Sequence, residues 1–376
     1  MEFIIDNDFF SKAISDVNRA VTFKTPFPIL TGIKITADKN SLTLVGSNSD
    51  IVIETIIPLM NDGVKVLEVY RPGSVVISAK YLSEIVKKLP GKIHINVDEK
   101  QVVTIQSDEI VTKLYGFHAD DYPSLPKIDE AKYIKIPSIE LLEIIKQTVF
   151  AVSKSESRPV LTGVNMSFKD QRLKCVATNS QRLALRDIEI KSNIEGSFNV
   201  PGTSLNELAK IISNEDSVIH IFISDRYMTF KSNTISLFSR LIDGNYPNVS
   251  GLFPSNSNTI ITLNTNQLLK GIDRACLFAS EWKNNNVHLE IMNGSKIKIS
   301  SNSSEIGKIE ETLPIKEISG ETSLNISLDG SFLMDALKAI KEEEVRIRFT
   351  GSMRPIIMEP IGNISYLHLI SPVRTY

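Results

Sequence analysis

The distribution of apolar residues predicts three amphipathic helices that recur along the chain at intervals of a whole domain. Apolar side chains fall at helical spacing over residues 8–17, 139–149 and 266–275. A polar residue that could cap the helix stands at the start of each segment: Asn7, Ser138 and Thr265. We therefore expect one such helix near the start of each of three similar units.

Alternating apolar and polar residues after each helix predict strands. The first two strands are predicted at 28–36 and 42–49, at 159–167 and 173–180, and at 286–292 and 297–303. A second helix follows in each unit, at 79–89, 202–212 and 330–340. Further strands are predicted at 93–97 and 102–106, at 218–223 and 227–231, and at 345–349 and 355–359.

Short motifs that occur in the same order indicate that the first two units are repeats of one another. Leu-Thr-Gly occurs at 30–32 and 161–163, and Tyr-Pro occurs at 122–123 and 246–247. Segments rich in Pro, Ser or Asn separate the units, so the predicted domains are 1–126, 127–254 and 255–376. The predicted fold class is α+β, with three similar domains that each consist of two halves, a helix plus an antiparallel sheet.

Composition and charge are those of an ordinary folded protein. The chain has 376 residues, of which 42% are hydrophobic and 23% are charged. Neither a signal peptide nor a membrane-spanning apolar run is recognisable. Cys175 and Cys276 belong to no CxxC or Cys/His cluster, so we expect a reduced, cytoplasmic protein, and a disulfide between them is left open.

Motifs that carry catalysis are missing from the sequence. It has no GxxxxGK[ST] phosphate loop, no strand-linked GxGxxG, no HExxH and no GxSxG. The histidines have no metal-ligand spacing and lie mostly within or beside predicted strands, so we expect structural roles for them. They are His94, His118, His220, His288 and His368. No cofactor, metal or active site is predicted.

Longer motifs are spread over the whole chain. They are Pro28-Ile-Leu, Arg158-Pro-Val-Leu-Thr-Gly163, Ala177-Thr-Asn-Ser-Gln-Arg-Leu-Ala184, Leu241-Ile-Asp-Gly-Asn-Tyr-Pro247, Phe332-Leu-Met-Asp-Ala-Leu337 and Leu369-Ile-Ser-Pro-Val-Arg-Thr-Tyr376. Together they resemble the bacterial DNA sliding clamps, the β subunits of DNA polymerase III. The resemblance implies the DNA clamp fold and a non-enzymatic processivity factor.

The resemblance implies a head-to-tail homodimer that encircles duplex DNA, with helices around the hole and sheets outside. Enclosure holds DNA without tight contact, which reconciles DNA binding with a net charge of −2. The positions that match the family's DNA contacts are Lys24, Lys80, Ser155 and Arg158. The positions that match the subunit contact are Thr112 and Leu114 of one chain and Arg274, Leu277 and Phe278 of the other.

The resemblance also implies a hydrophobic groove that takes short peptides from the polymerase catalytic subunit, the clamp loader, other DNA polymerases and repair proteins. The matching positions are Leu161, Thr178, Ser180, Gln181, Arg182, Leu183, Pro247, Leu252, Asp329, Phe332, Met353, Pro355, Leu369, Ile370, Ser371, Pro372, Val373 and Arg374. Four of them depart from the residue common in the family: Gln181, Asp329, Phe332 and Ser371. These departures bear on which peptides bind, not on whether a groove exists.

Two other classes of function are weighed against the clamp. A repeat-built ligand-binding or regulatory protein could use the same domains without a ring, and gel filtration would separate it from a dimeric clamp. An enzyme is the third class, which the missing motifs disfavour.

Overall fold

A computed structural model of the protein describes residues 1–129, 132–192, 194–212, 217–254, 256–279, 286–305, 307–363 and 365–373. The helices are α1 (Asn7–Asn18), α2 (Ala79–Val86), α3 (Ser138–Thr148), α4 (Gly202–Ile211), α5 (Thr265–Ala279) and α6 (Gly330–Ala339). The strands are β1 (Glu2–Asp6), β2 (Gly32–Ala37), β3 (Ser41–Ser47), β4 (Ile51–Pro58), β5 (Met60–Asn61), β6 (Val64–Lys65), β7 (Leu67–Arg71), β8 (Gly73–Ser78), β9 (Lys92–Val97), β10 (Val102–Ser107), β11 (Ile110–Tyr115), β12 (Ile134–Pro137), β13 (Gly163–Lys169), β14 (Arg172–Thr178), β15 (Arg182–Glu189), β16 (Gly196–Pro201), β17 (Val218–Ile223), β18 (Tyr227–Lys231), β19 (Ile235–Arg240), β20 (Thr259–Asn264), β21 (Asn286–Met292), β22 (Lys296–Ser303), β23 (Gly307–Pro314), β24 (Glu317–Gly320), β25 (Leu324–Asp329), β26 (Glu344–Phe349), β27 (Ile356–Pro360) and β28 (Tyr366–Ile370).

Every one of these helices begins at the residue directly after a strand. The six strand–helix pairs are β1–α1, β8–α2, β12–α3, β16–α4, β20–α5 and β25–α6. Two such pairs fall in each predicted domain. The α+β class is therefore confirmed, and the strand that precedes each helix is a feature of the repeat that the apolar pattern did not reveal.

One compact unit contains Met1–Ile139 and Glu207–Leu241. It holds a five-stranded sheet in the order β11-β10-β9-β1-β7 and an eight-stranded sheet in the order β12-β17-β18-β19-β4-β3-β2-β8. Helix α1 packs on β3 and β4 through its buried apolar stripe. Gly46 of β3 permits this approach, since a Cβ there would lie 2.1 Å from the carbonyl oxygen of Val17.

The second compact unit contains Glu140–Asn206 and Ile242–Tyr376. It holds a nine-stranded sheet in the order β16-β13-β14-β15-β28-β27-β26-β20-β24 and a four-stranded sheet in the order β23-β22-β21-β25. Side chains of α5 and α6 form one apolar core with both sheets, in which Ile272, Leu333 and Ile347 are fully buried. Helices α5 and α6 therefore cover one face of the β20–β26–β27–β28 region, and among the described residues neither of them packs on the opposite face, which is called the helix-free face below.

Neighbouring repeats share sheets. In the first unit β19 pairs with β4, with Leu237 opposite Ile53, and in the second unit β15 pairs with β28, with Leu183 opposite Leu369. These long-range pairings join strands of different predicted domains. The boundaries 1–126, 127–254 and 255–376 stay a prediction.

The strands predicted at 28–36 and 159–167 begin later than expected, and this part of the prediction was wrong. Residues Pro28–Thr31 and Pro159–Thr162 each form a short 3-10 helix, and the strands start at Gly32 and Gly163. Proline favours the first turn of a helix because its φ is fixed and its missing N–H is not needed there. In each turn the threonine hydroxyl donates to the proline carbonyl oxygen at 2.7 Å.

The predicted N-caps Asn7 and Thr265 are one residue too late, because each is the first residue of its helix. The carboxylate of Asp6 accepts from the N–H of Asp8 at 3.0 Å, and the amide oxygen of Asn264 accepts from the N–H of Gln267 at 3.0 Å. Ser138 is likewise the first residue of α3. In α1 and α5 the side-chain cap is therefore the last strand residue, because strand and helix join without a loop.

Within the described ranges, no helix is long and apolar enough to cross a membrane. Cys175 is buried and Cys276 half-buried, and both are free thiols, so the disulfide left open by the sequence is not formed.

Candidate functional site

The central pair of the candidate groove lies on the helix-free face of the nine-stranded sheet. Leu183 of β15 is opposite Leu369 of β28, and directly opposite residues in an antiparallel pair point to the same face. Both pack in an apolar cluster with Val249. Pro247 and Leu252, which flank Val249 in the sequence, are exposed. The surface therefore has buried apolar side chains at its base and exposed aliphatic side chains at its edge.

A tight turn holds the strand that carries Leu183. The amide oxygen of Asn179 accepts from the N–H groups of Gln181 and Arg182 at 3.0 and 2.9 Å. Ser180 takes φ +77° at the tip, a conformation that non-glycine residues adopt mainly in such turns. The Thr178 hydroxyl closes the turn by donating to the carbonyl of Arg182 at 2.6 Å.

Tyr246 connects this turn to the segment that carries Pro247 and Leu252. The Tyr246 hydroxyl accepts from the N–H of Thr178 at 3.0 Å. Burial raises the pKa of Tyr246 above its ordinary value, so the phenol stays neutral in the physiological range. Tyr246 belongs to the Asn-Tyr-Pro motif of the sequence, but its hydrogen bond to Thr178 was not predicted.

Arg182 points to the opposite face of the sheet, toward α6. Its guanidinium carbon lies 4.4 Å from the centre of the Phe332 ring and 5.3 Å from that of Phe150. It forms an ion pair with Asp335 at 2.7 Å and also donates to the carbonyl oxygen of Phe150. Leu183 and Arg182 are therefore neighbours in sequence but belong to two clusters, one on each face.

Sequence reasoning missed Phe150 and Asp335, which complete the Arg182 cluster. They lie 32 and 153 residues from Arg182 along the chain, and no local pattern links them. Asp335 was quoted within a motif, but its partner was not predicted.

Asp329 and Phe332 are placed by the start of α6. The Asp329 carboxylate accepts from the N–H groups of Ser331 and Phe332 at 2.8 and 3.4 Å. Asp329, which differs from the residue common in the family, therefore acts as the N-cap of α6. An acid at this end also interacts favourably with the helix dipole.

The C-terminal segment joins the two clusters at the strand ends. The N–H of Ser371 donates to the carbonyl of Gln181 at 2.8 Å, and the N–H of Val373 donates to that of Ser327 at 2.8 Å. Met353 is exposed and Pro355 half-buried, whereas Leu161 and Ile370 are buried. Pro372 is half-buried, and Arg374 lies outside the described residues.

His368 lies beside the Arg182 cluster, on the face opposite to Leu369, and carries no predicted role beyond structure. It is almost fully buried between Phe150 and Tyr366, and neither ring nitrogen has a hydrogen-bond partner within the described part of the chain. Burial, followed by the charge of Arg182, lowers the pKa of His368 to about 3. It is a neutral packing residue at ordinary pH.

The four candidate DNA contacts all lie at the surface. In the first unit Lys24 follows α1 and Lys80 lies in the first turn of α2, and both are exposed. In the second unit Ser155 and Arg158 are exposed in the segment after α3. The Ser155 hydroxyl donates to that of Ser157 at 3.0 Å, which leaves it available for only weak contacts.

The candidate subunit contacts fall on two surfaces, one in each unit. Thr112 and Leu114 lie on β11, the end strand of the five-stranded sheet. In the second unit Leu277 is 68% exposed on α5, with Phe278 half-buried beside it. Arg274 is held to Glu311 of the end strand β23 by two contacts of 2.8 and 2.6 Å.

Over the ranges that the structure describes, no group of three or more His, Cys, Asp or Glu side chains could hold a metal ion. The arrangement offers binding surfaces: an apolar pocket, a cation–aromatic cluster and an exposed sheet edge.

Family models match nearly the whole chain in three consecutive blocks. Residues 1–126 match the DNA polymerase III beta subunit N-terminal domain, 135–248 match its central domain and 250–374 match its C-terminal domain. Curated relatives agree in name and length. The beta sliding clamp of Bacillus subtilis is 44% identical and that of Halalkalibacterium halodurans 41% identical, each over 100% of both chains.

Solved structures of such proteins share the fold. The DNA polymerase sliding clamp of Bacillus subtilis superposes with a TM-score of 0.97 at 43% identity, covering 100% of both chains. The beta subunit of Streptococcus pyogenes gives 0.94 at 33% identity with the same coverage. The predicted clamp fold is thereby confirmed, as is the prediction of an accessory subunit of DNA polymerase III rather than an enzyme. The chain belongs to the family of DNA polymerase III beta subunits, the sliding clamps.

Proposed function

We propose that two copies of this chain form a closed head-to-tail ring that encircles duplex DNA, slides along it and keeps DNA polymerase III on its template. The observation that carries the proposal is the end strand β11. Its apolar side chains are unusually exposed, with Tyr115 85% exposed and Val111 55% exposed. An apolar sheet edge left in solvent invites pairing with another strand, so a covering partner is needed.

The surface around Leu277 and β23 of a second copy supplies that partner. β23 is also an end strand, so β11 of one copy can extend the four-stranded sheet of the other. Leu277 and Phe278 then add apolar contact beside the paired strands. Because the two surfaces differ, the contact is head-to-tail, and two copies close into a ring with two equal interfaces.

DNA is held by enclosure, with Lys24, Lys80, Ser155 and Arg158 providing weak contacts to phosphates. These side chains are exposed, and a chain with a net charge of −2 cannot grip DNA over its whole surface. Few phosphate contacts favour sliding, because each contact releases counterions and thereby strengthens binding at one position.

Partner proteins dock a short apolar peptide in the groove formed by the Leu183–Leu369 pocket, the Arg182–Phe332 cluster and the C-terminal segment. The polymerase catalytic subunit is the first such partner, and the clamp loader, other polymerases and repair proteins use the same site. A buried apolar floor with a few fixed polar groups suits peptide anchors. We place the protein in the cytoplasm, where these partners act.

Retention on circular DNA tests the ring. The protein, placed by a clamp loader on nicked circular DNA, should stay bound through gel filtration at high salt. Cutting the circle should release it, because a ring can slide off an end. Equal retention on circular and linear DNA would rule out enclosure.

A further inference from the structure

A cleft on the helix-free face of the nine-stranded sheet lies outside the predicted groove. It encloses about 430 Å³ and is lined by Asn256, Ser257, Ile260, Arg346, Arg348 and Glu359. These residues belong neither to the predicted groove nor to the proposed DNA and subunit contacts. Their chemistry is that of an anion site, since two arginines dominate the lining.

The positive charge of the cleft is only partly balanced. Arg346 and Arg348 share the single carboxylate of Glu359, at 3.4 and 4.0 Å, and the second distance is at the outer limit of an ion pair. Arg348 donates from Nε to the Ser257 hydroxyl at 3.0 Å. Each guanidinium has five N–H donors, so donors in the lining outnumber the carboxylate oxygens that can accept from them.

The strand register places this cleft on the same face as the apolar pocket. Leu183 is opposite Leu369, Leu369 is opposite Ile357, and Ile357 is opposite Arg348. Directly opposite residues share a face, so the four side chains form one row across four strands. With strands about 4.8 Å apart, Arg348 lies roughly 10 Å from Leu369 across the sheet.

Arg348 is a better residue than Arg346 for testing anion binding in the cleft, because Arg346 has more acidic neighbours on this face. Arg346 is opposite Glu359 and also opposite Thr262, which pairs with Glu317, so its row contains two acids. The neighbouring Lys316 is paired with Glu344 at 2.5 Å. In the row of Arg348 the direct neighbours are Ile260 and Ile357, and Glu359 approaches Arg348 from the adjacent row only at 4.0 Å.

We propose that the arginine cleft is a charged extension of the peptide groove, which takes an aspartate or glutamate side chain of the same partner peptide. The inference rests on the proposed groove. An extended peptide advances about 3.3 Å per residue, so an acid about three residues from the apolar anchor spans the gap of roughly 10 Å. A carboxylate is the group that a guanidinium fork binds in two-point geometry.

The occupant is a peptide acid rather than a DNA phosphate because of the face on which the cleft lies. Helices α5 and α6 cover the opposite face of the sheet, and in the proposed ring the helices surround the DNA. The cleft therefore faces away from DNA and toward the side on which peptides dock.

The test uses the full-length dimer and fluorescence anisotropy with labelled peptides. One peptide carries a glutamine followed by aliphatic and aromatic anchors, with serine at the third position beyond the anchor on either side. Matched peptides carry aspartate or lysine at those positions. We expect aspartate on one flank to bind about 5-fold tighter than serine, and lysine to bind more weakly than serine.

Substitutions assign the effect to the cleft. Arg348→Gln should abolish the preference for aspartate and leave the affinity for the serine peptide unchanged, whereas Arg348→Lys should retain part of the preference. Lys191→Gln, at an exposed position of the same unit, is the matched control and should retain all of it. Salt at 0.5 M should shrink the preference because exposed charge pairs are screened.

The outcomes separate this proposal from the groove itself. If the serine peptide binds and aspartate gives no gain on either flank, the charged extension is wrong and the groove stands. If no peptide binds, both are overturned. If Arg348→Gln weakens retention on DNA without changing the peptide preference, the cleft binds phosphate and the peptide assignment is wrong.

Discussion

The guanidinium carbon of Arg182 lies 4.4 Å from the centre of the Phe332 ring, so a buried cation fixes the aromatic side chain at one end of the candidate groove. The Arg182 side chain is only 9% exposed, and Asp335, 40% exposed, supplies its ion pair. A cation held against a ring in this way is worth about 0.5–2 kcal/mol. The position of the Phe332 ring therefore depends on Asp335 indirectly, through Arg182.

Asp335→Asn should loosen this cluster and weaken peptide binding. Loss of the countercharge leaves the buried Arg182 side chain without its ion pair. Because Asp335 is partly exposed, the unfolding free energy should fall by only about 1 kcal/mol. We expect peptide affinity to fall several-fold in the same variant. Asp273→Asn, an exposed acid on α5, is the control for charge and should change neither quantity. Urea unfolding and anisotropy measure the two effects, and unchanged peptide affinity would show that Arg182 does not position Phe332.

Subunit contact is tested by the double substitution Leu277→Ala with Phe278→Ala. Removing apolar area from the proposed contact should shift the protein from dimer to monomer at low micromolar concentration, since anchors of this kind contribute about 1–2 kcal/mol each. Sedimentation or gel filtration with light scattering reports the mass. Met60→Ala with Val64→Ala removes two other exposed apolar side chains and should stay dimeric. A Leu277/Phe278 variant that remains a dimer on dilution would place the interface elsewhere.

Direct DNA contact is tested by Lys24→Ala and Arg158→Ala. Each exposed cation that neutralises a phosphate adds about one unit to the slope of log affinity against log salt, so each substitution should lower that slope by about one. Retention of the loaded ring on circular DNA should be unchanged, because enclosure does not depend on these contacts. Lys169→Ala, an exposed lysine on β13, is the control. An unchanged salt slope in both variants would remove Lys24 and Arg158 from the DNA surface.

Periodicity predicted the six helices and two strands after each of them, but neither the strand before each helix nor the pairing of the strands. The six helices and the paired strands after them follow from local patterns, and the repeated Asn-Ser turns explain one shared motif: Asn48 and Asn179 accept from backbone N–H groups in the same way, and Ser49 and Ser180 both take positive φ. The pairing of β15 with β28 joins residues nearly two hundred positions apart. Such pairing depends on tertiary packing, which no local pattern encodes.

The candidate site was likewise predicted only in part from the sequence. Family motifs pointed to Arg182, Leu183 and Phe332, but the sheet sends Arg182 and Leu183 to opposite faces, because adjacent residues in a strand alternate. The partners Phe150 and Asp335 lie in helical segments whose sequence gives no sign of a contact with β15. Arg348 was missed for the same reason, since only the register shows that it shares a row with Leu369.

Stability against acid should depend on His368. The folded protein keeps this ring neutral down to about pH 3, whereas the unfolded chain takes up a proton near pH 6.5. Between these values the unfolded state binds more protons, so the free energy of unfolding falls as the pH falls, by up to about 1.4 kcal/mol per pH unit. His368→Phe should therefore lose less stability than the parent between pH 7 and pH 5 in urea unfolding. His118→Phe, at an exposed position, should follow the parent, and equal acid dependence in all three proteins would contradict this origin.

The C-terminal segment supports the strongest test of the groove. Its described part is tied down by two backbone hydrogen bonds, from Ser371 to Gln181 and from Val373 to Ser327, both 2.8 Å, so it lies across the strand ends where the two clusters meet. Ending the chain at Ile370 removes this connection but leaves β28 and the Leu183–Leu369 pair in place. We expect peptide affinity to fall by at least ten-fold, because a peptide that spans both clusters would lose the contacts between them.

The truncated protein should remain a dimer, because Ser371 and Val373 donate to Gln181 and Ser327, and neither acceptor lies on β11, α5 or β23, which carry the proposed subunit contact. Dimer mass by light scattering and an unfolding midpoint close to that of the parent establish that the truncated chain is folded. Anisotropy with the labelled serine peptide then measures the groove alone. A folded, dimeric truncation that binds the peptide as tightly as the parent would show that partners dock at a different surface, and the pocket around Leu183 would lose its assignment.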